Sequence, residues 1–212
     1  MYVPPTFKED RIEVLHGLIR SNPFGLLISN GEDGPSATAV PFHLIQDGSQ
    51  FGVLQAHIAR ANPHWQNIDG QTVLIIFQGA NEYISPNWYP SKQMHGMVVP
   101  TWNYVMVQAR GAVKVVEDST WLKRQITALT DQQEHARSQP WKVSDAPESY
   151  IDAELKHIIG LEIVVKQLEG KWKVSQNRNA QDRKGTAENL LAEGKSEMST
   201  LVRKYGNLEQ TD

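Results

Sequence analysis

NYVMVQARGAVKVVE, residues 103–117, alternates apolar and polar positions along most of its length. A period of two places successive side chains on opposite faces, so the segment reads as one long strand. Gly111 sits in its middle, where a residue without a side chain suggests a bend or bulge of the kind a barrel uses. Toward the N-terminus, FGLLIS (24–29), ATAVPFHLI (37–45), FGVLQA (51–56) and VLIIFQG (73–79) are short apolar runs separated by Gly, Asp and Pro. That punctuation is the mark of an antiparallel meander. Toward the C-terminus, HIIGLEIVVKQLEG (157–170) is rich in β-branched residues and reads as a closing strand.

Helices interrupt these six strands. Ile12, Leu15, Leu18 and Ile19 fall at helical spacing within residues 10–22, and Pro23 ends the run. Asp118 is a helix cap, with Trp121, Leu122, Ile126 and Leu129 on one face of a helix reaching about His135. A second inserted helix, 147–157, opens on Pro147, whose fixed φ suits a first turn. From Asn179 onward the chain is polar, charged and weakly amphipathic, and reads as helix with a frayed end. The expected organisation is a single domain over residues 1–190, with 191–212 as a helical extension.

With 212 residues, 40% apolar and 21% charged, the chain sits near the globular average and can bury a good core. It has no run of about 18 apolar residues and no basic-then-apolar start, so a cytoplasmic location is expected. The lack of cysteine removes disulfides, thiolate metal sites and a Cys nucleophile together. A net charge of -3 gives no general pull toward nucleic acid, so any DNA contact needs a local basic patch. Neither a Walker or GxGxxG loop nor an HExxH or GxSxG motif occurs. Metal chemistry and a doubly wound nucleotide fold are not expected.

The richest stretch chemically is YISPNWYPSK (83–92) followed by HGMVVPTWNY (95–104). Tyr83, Trp88, Tyr89, Trp102 and Tyr104 carry large apolar faces with one polar handle each, and ordinary loops are not built that way. The block reads as a lining for something flat, held rigid by Pro86, Pro90 and Pro100.

Four blocks carry a resemblance to a known family. HIARANPHW (57–65), FQGANEYISPNWYPSK (77–92), VVPTWNY (98–104) and LEGKWKVSQNR (168–178), together with MYVPPTF at the start and WKVSDAP (141–147), resemble the PaiB family of FMN-binding split-barrel proteins, described as negative transcriptional regulators. The resemblance spans roughly residues 1–190. It implies a mainly β fold with peripheral helices: a six-stranded antiparallel split barrel, homodimeric, with FMN at the dimer interface.

The resemblance also marks site residues, each of which has a plainer alternative. Arg60, with His57 and Asn62, is implied to hold the FMN phosphate; alternatively Arg60 is a solvated loop residue and Asn62 a helix cap. Thr38 and Val40 are either neighbours of the flavin ring or core residues of their strand. Trp88, Lys92 and Trp102 are cofactor or pocket residues, or staples between two subunits. Gln176 and Arg178 close over the flavin, or form the polar exit of the last strand. No catalytic residue is assigned apart from the flavin, although His95, Lys92 and Tyr89 are placed to assist proton transfer.

Three functions are compatible with this reading. The first is an FMN-binding repressor that senses flavin or redox state and acts indirectly, since no helix-turn-helix is recognisable. The second is a flavin-dependent oxidoreductase or flavin reductase. The third is a binder of another flat ligand, such as haem or a degraded flavin.

Overall fold

The computed structural model describes residues 1–31 and 34–208. The strands are β1 (Lys8–Glu9), β2 (Phe24–Gly31), β3 (Gly34–Pro41), β4 (His43–Ile45), β5 (Val53–Ala59), β6 (Thr72–Ile84), β7 (Thr101–Val116) and β8 (Ile158–Lys173). The helices are α1 (Ile12–Ser21), α2 (Ser91–His95), α3 (Ser119–Glu134), α4 (Glu148–Leu155), α5 (Ala180–Ala192) and α6 (Ser196–Tyr205). The last four positions of the expected C-terminal extension, 209–212, lie outside the described residues.

The sheet runs in the order β3-β2-β6-β7-β8-β5-β4, with β1 added to β8. Among the described residues, eight strands in an open path thus stand where a six-stranded split barrel was expected. Two local causes account for the difference. Pro41 has no N–H for the ladder, and the next amide, Phe42, donates instead to the Pro23 carbonyl at 2.8 Å. The run 37–45 therefore breaks, and β4 begins with a new antiparallel partner, His43 opposite Gln55. β1 is only two residues long, too short for any periodicity to register.

Gly111 serves a different purpose from the expected bend. It lies within an unbroken β7, and a Cβ there would overlap the Val164 carbonyl. The glycine permits a close approach of β7 to β8.

The chain divides into two interleaved compact units, one formed by residues 19–77 and 108–168, the other by 1–18, 78–107 and 169–212. In the first, Phe42 and Phe77 meet edge to face with centroids 5.6 Å apart, and Gly25 clears space beside the Phe77 ring. Helix α3 begins at Asp118, whose side chain accepts from the Trp121 amide at 2.6 Å, as a capping residue should. It docks on the strands through two glutamines on one face: Gln132 accepts from His43 Nδ1 at 2.7 Å and Gln125 from His57 Nδ1 at 2.8 Å. Pro147 is the residue before α4, one position earlier than its expected place in the first turn.

In the second unit, α5 and α6 form the C-terminal hairpin. Met198 and Val202 bury one face of α6, a 3.6-period stripe. No helix among the described residues is long and apolar enough to cross a membrane.

Candidate flavin site

The site in the first unit starts from a short turn. Asn62 caps the single 3-10 turn Pro63–Trp65, its side chain accepting from the His64 amide at 3.0 Å, and the Trp65 indole donates back to the Arg60 carbonyl at 2.9 Å. This fixes the direction of His64, which is buried. Its Nε2 lies 2.7 Å from Ser29 Oγ on β2, and its Nδ1 lies 2.7 Å from Thr38 Oγ1 on β3. Burial pushes the imidazole pKa down, so at neutral pH it is uncharged. A neutral ring has one donor and one acceptor, so one hydroxyl accepts from it and the other donates to it.

Ser29, Ser36, Asn62, His64, Asn67 and Ile68 line part of a cavity of about 470 Å³ beside this relay. That size is within the range of cofactor pockets. Of the residues expected in the site, the structure brings together Thr38 and Asn62, whose amide approaches the Thr38 hydroxyl at 3.5 Å. Arg60 lies elsewhere: its Nε donates to the Lys156 carbonyl at 2.9 Å and its terminal nitrogen pairs with Glu117 at 2.7 Å. With Glu117, Asp152 and Lys156 it lines a separate cavity of about 480 Å³, two carboxylates beside two cations. His57 is engaged by Gln125, and Val40 is a core residue at 1% exposure.

The remaining expected residues belong to the second unit. The segment carrying Trp88 is a 3-10 turn, Pro86–Trp88, capped by Ser85. It is held from α5: Asp182 accepts from the Ser91 amide at 3.0 Å and from the Ser91 hydroxyl at 2.7 Å, and Gly185 gives room for the Trp88 carbonyl. Lys92 is exposed and donates to Asn87. Trp102 is half exposed and meets Tyr83 edge to face at 6.1 Å. The Arg178 guanidinium lies over the Tyr89 ring at 4.7 Å from its centroid. Gln176 is used locally, accepting from the Val174 amide at 2.7 Å and donating to the Trp172 carbonyl at 2.5 Å. It braces a turn in which Ser175 takes a left-handed φ of 70°. Of the proposed proton carriers, Tyr89 is buried, with its pKa pushed up by that burial, while the exposed His95 accepts from the Met97 amide at 3.0 Å.

Two lysines join this group that sequence reasoning did not assign. Lys173 donates to Thr101 Oγ1 at 2.6 Å and to the Trp102 carbonyl, and Lys171 donates to the Tyr2 carbonyl at 3.1 Å while facing the Tyr2 and Tyr104 rings. Burial first, then the charges of Lys171 and Arg178, lowers the Lys173 pKa. Among the described residues no carboxylate forms an ion pair with Lys171, Lys173 or Arg178. The signal in the sequence is the two-residue spacing, which puts 171 and 173 on one face of β8.

His64 is another residue that the sequence does not single out. Its partners lie on two strands 26 and 35 positions away, so nothing local marks it.

Residues 1–167 match the family model described as "Putative FMN-binding domain". The protease synthase and sporulation protein PAI 2 of Bacillus subtilis is 30% identical, covering 91% of this chain and 90% of that one. An uncharacterised protein of Emericella nidulans is 35% identical over 99% of both chains. Among solved structures, the FAD and heme binding protein from Mycobacterium smegmatis matches with a TM-score of 0.58 at 14% identity, over 78% of this chain and 73% of that one. The chain belongs to the PaiB-like family of FMN-binding split-barrel proteins. Its cofactor is FMN.

The residues present suit that cofactor. Amide and hydroxyl groups around His64 match the oxygens of a ribityl phosphate.

Proposed function

We propose that this protein is an FMN-dependent regulator that works as a homodimer and acts on gene expression indirectly. The observation that carries the flavin part is the His64 relay, which ties Ser29, Thr38 and Asn62 to the wall of one cavity. In this reading Asn62, Ser36 and Asn67 hold the ribityl phosphate end, and Thr38 positions His64. Trp88, Trp102, Lys92 and Arg178 form an aromatic and cationic surface within their own unit. Bound FMN supplies one- and two-electron redox chemistry; the chain's residues bind, orient and exclude water.

The homodimer is supported by an apolar sheet face. Phe24, Leu26 and Ile28 of β2 lie opposite Pro41, Ala39 and Ala37 of β3, and Leu26 also pairs with Ile76 of β6. Phe24 is 69% exposed and Leu26 38%, an arrangement that a second copy of the chain would cover. The regulatory part rests on the relationship to the B. subtilis protein, whose name refers to protease synthesis and sporulation. No helix-turn-helix signature is recognisable in the sequence, which favours an indirect effect.

One observation favours a second reading, a flavin-dependent oxidoreductase. Lys171, Lys173 and Arg178 form a cationic set beside Trp102, suited to an anionic reductant such as a nicotinamide dinucleotide. The test is a flavin-fluorescence titration with FMN alongside a mass measurement in solution. Saturable binding by a dimer, weakened about tenfold by Asn62→Ala through loss of a charge-assisted hydrogen bond, is the expected result. A folded wild-type chain that leaves FMN fluorescence unchanged would sink the reading. NAD(P)H consumption by the FMN-loaded dimer then separates oxidoreductase from regulator.

A further inference from the structure

A cavity of about 590 Å³ lies away from the residues assigned to flavin, between α3 and the segment 142–151. That segment overlaps WKVSDAP (141–147), a block of the family resemblance that the flavin reading leaves without a role. The turn is built rather than loose. The Lys142 amide donates to Asp145 at 2.9 Å, the Asp145 amide returns a bond to the Lys142 carbonyl at 2.9 Å, and the Trp141 amide donates to Glu134 at 3.1 Å.

The floor is apolar. Val143 and Ile151 belong to a small hydrophobic cluster with Leu122 and Leu155, and Ala146 packs against it. The rim carries two groups of each charge: Lys123 and Lys142, Asp131 and Glu148. Lys123 and Glu148 satisfy one another at 2.9 Å, which raises the lysine pKa and lowers that of the glutamate. This leaves one cation, Lys142, and one carboxylate, Asp131, without an ion-pair partner among the described residues. The hydroxyl of Ser144 lines the same cavity.

We propose that this cavity binds a small zwitterion with an apolar side chain, an α-amino acid or short peptide, and is a second ligand site independent of flavin. A ligand carrying one ammonium and one carboxylate meets Asp131 and Lys142 together and lays its hydrocarbon on Val143 and Ile151. A singly charged ligand leaves one of the two protein charges unmatched, so discrimination follows from the charge pair.

The test uses saturation-transfer NMR on the full chain with L-leucine and L-leucyl-L-leucine as probes. The comparison ligands are 4-methylpentanoate, which lacks the ammonium, and 3-methylbutylamine, which lacks the carboxylate. At least one zwitterion binds saturably, and each comparison ligand binds at least tenfold more weakly. Asp131→Asn and Lys142→Met, both changes at exposed side chains, each weaken the zwitterion at least tenfold without altering the melting temperature or FMN binding. The proposal is overturned if neither zwitterion binds, if the singly charged ligands bind as well, or if both variants bind like the wild type. None of these outcomes bears on the flavin site, because its residues are untouched.

Discussion

The phenol of Tyr205 donates a 2.6 Å hydrogen bond to the carboxylate of Glu9, 196 positions earlier in the chain. Glu9 is 4% exposed, and the same carboxylate accepts from Arg11 through its Nε at 2.8 Å and its backbone amide at 3.0 Å. The Arg11 hydrogen bond, strengthened by that of Tyr205, overcomes the cost of burial and holds the carboxyl at about 2. Helix α6 is thereby fastened to β1.

Because the folded pKa lies below the ordinary carboxylate value, the unfolded chain takes up the proton first as pH falls. The stabilisation is complete above pH 4.5 and is lost progressively as the pH falls toward 2. Discounted for the half-exposed Arg11, it amounts to about 2 kcal/mol. Tyr205→Phe removes a bond to a charged acceptor and costs about 1.5–3 kcal/mol in urea unfolding at pH 7. An unchanged midpoint would show that the clasp is decorative.

His64 has the opposite charge type and the same sign of pH dependence. Its pKa is lowered by burial, so below the ordinary histidine value the unfolded chain binds a proton that the folded chain refuses. Stability is full above about pH 6.5 and declines as the pH drops below it. His64→Gln, which keeps a donor and an acceptor for Ser29 and Thr38, flattens the stability profile between about pH 5 and 7. A profile identical to wild type would place the titrating group elsewhere.

Asp182 is 3% exposed and receives Ser91 through both backbone and side chain, with Asn179 Nδ2 donating at 2.9 Å. Asp182→Ala leaves those donors buried and unmatched, a cost of about 2–4 kcal/mol. Hydrogen exchange at the amides of 88–92 accelerates more than in α3. Equal acceleration in both regions would mean that Asp182 supports the whole fold rather than this loop.

Gly185 presents two opposed effects of different size. Alanine in a helix interior is favoured over glycine by about 1 kcal/mol. Here the added methyl would collide with the Trp88 carbonyl, a backbone atom that cannot rotate away, and overpacking costs about 1–3 kcal/mol. Gly185→Ala is therefore destabilising on balance and shifts the emission of Trp88. A stabilised variant would show that the 86–90 turn yields easily.

The strands and main helices were legible wherever one period ran long enough to be read. β7, with its alternation over 103–117, and α3, with its capping Asp118, are found where the residues place them. The break at Phe42 was not, because Pro41 marks a fault in a ladder without saying which strand takes over. β6 continues to Ile84, past the run 73–79, because Asn81 and Tyr83 are polar and aromatic surface positions that local composition assigns to a loop. In the candidate site, Asn62 was visible as a cap, whereas His64 and Lys173 owe their roles to partners brought in by the fold. Arg60 shows the converse: a cation attractive in sequence is engaged by Glu117 and a carbonyl.

The interleaving of the two units bears on how the chain is made. Residues 1–18 and 78–107 leave the ribosome long before 169–212, yet they belong to the same unit as that final stretch. The Trp88 turn waits for Asp182, and Glu9 waits for Tyr205. During synthesis an aromatic-rich loop and a buried carboxylate therefore stand without their partners until residues 182 and 205 have left the ribosome.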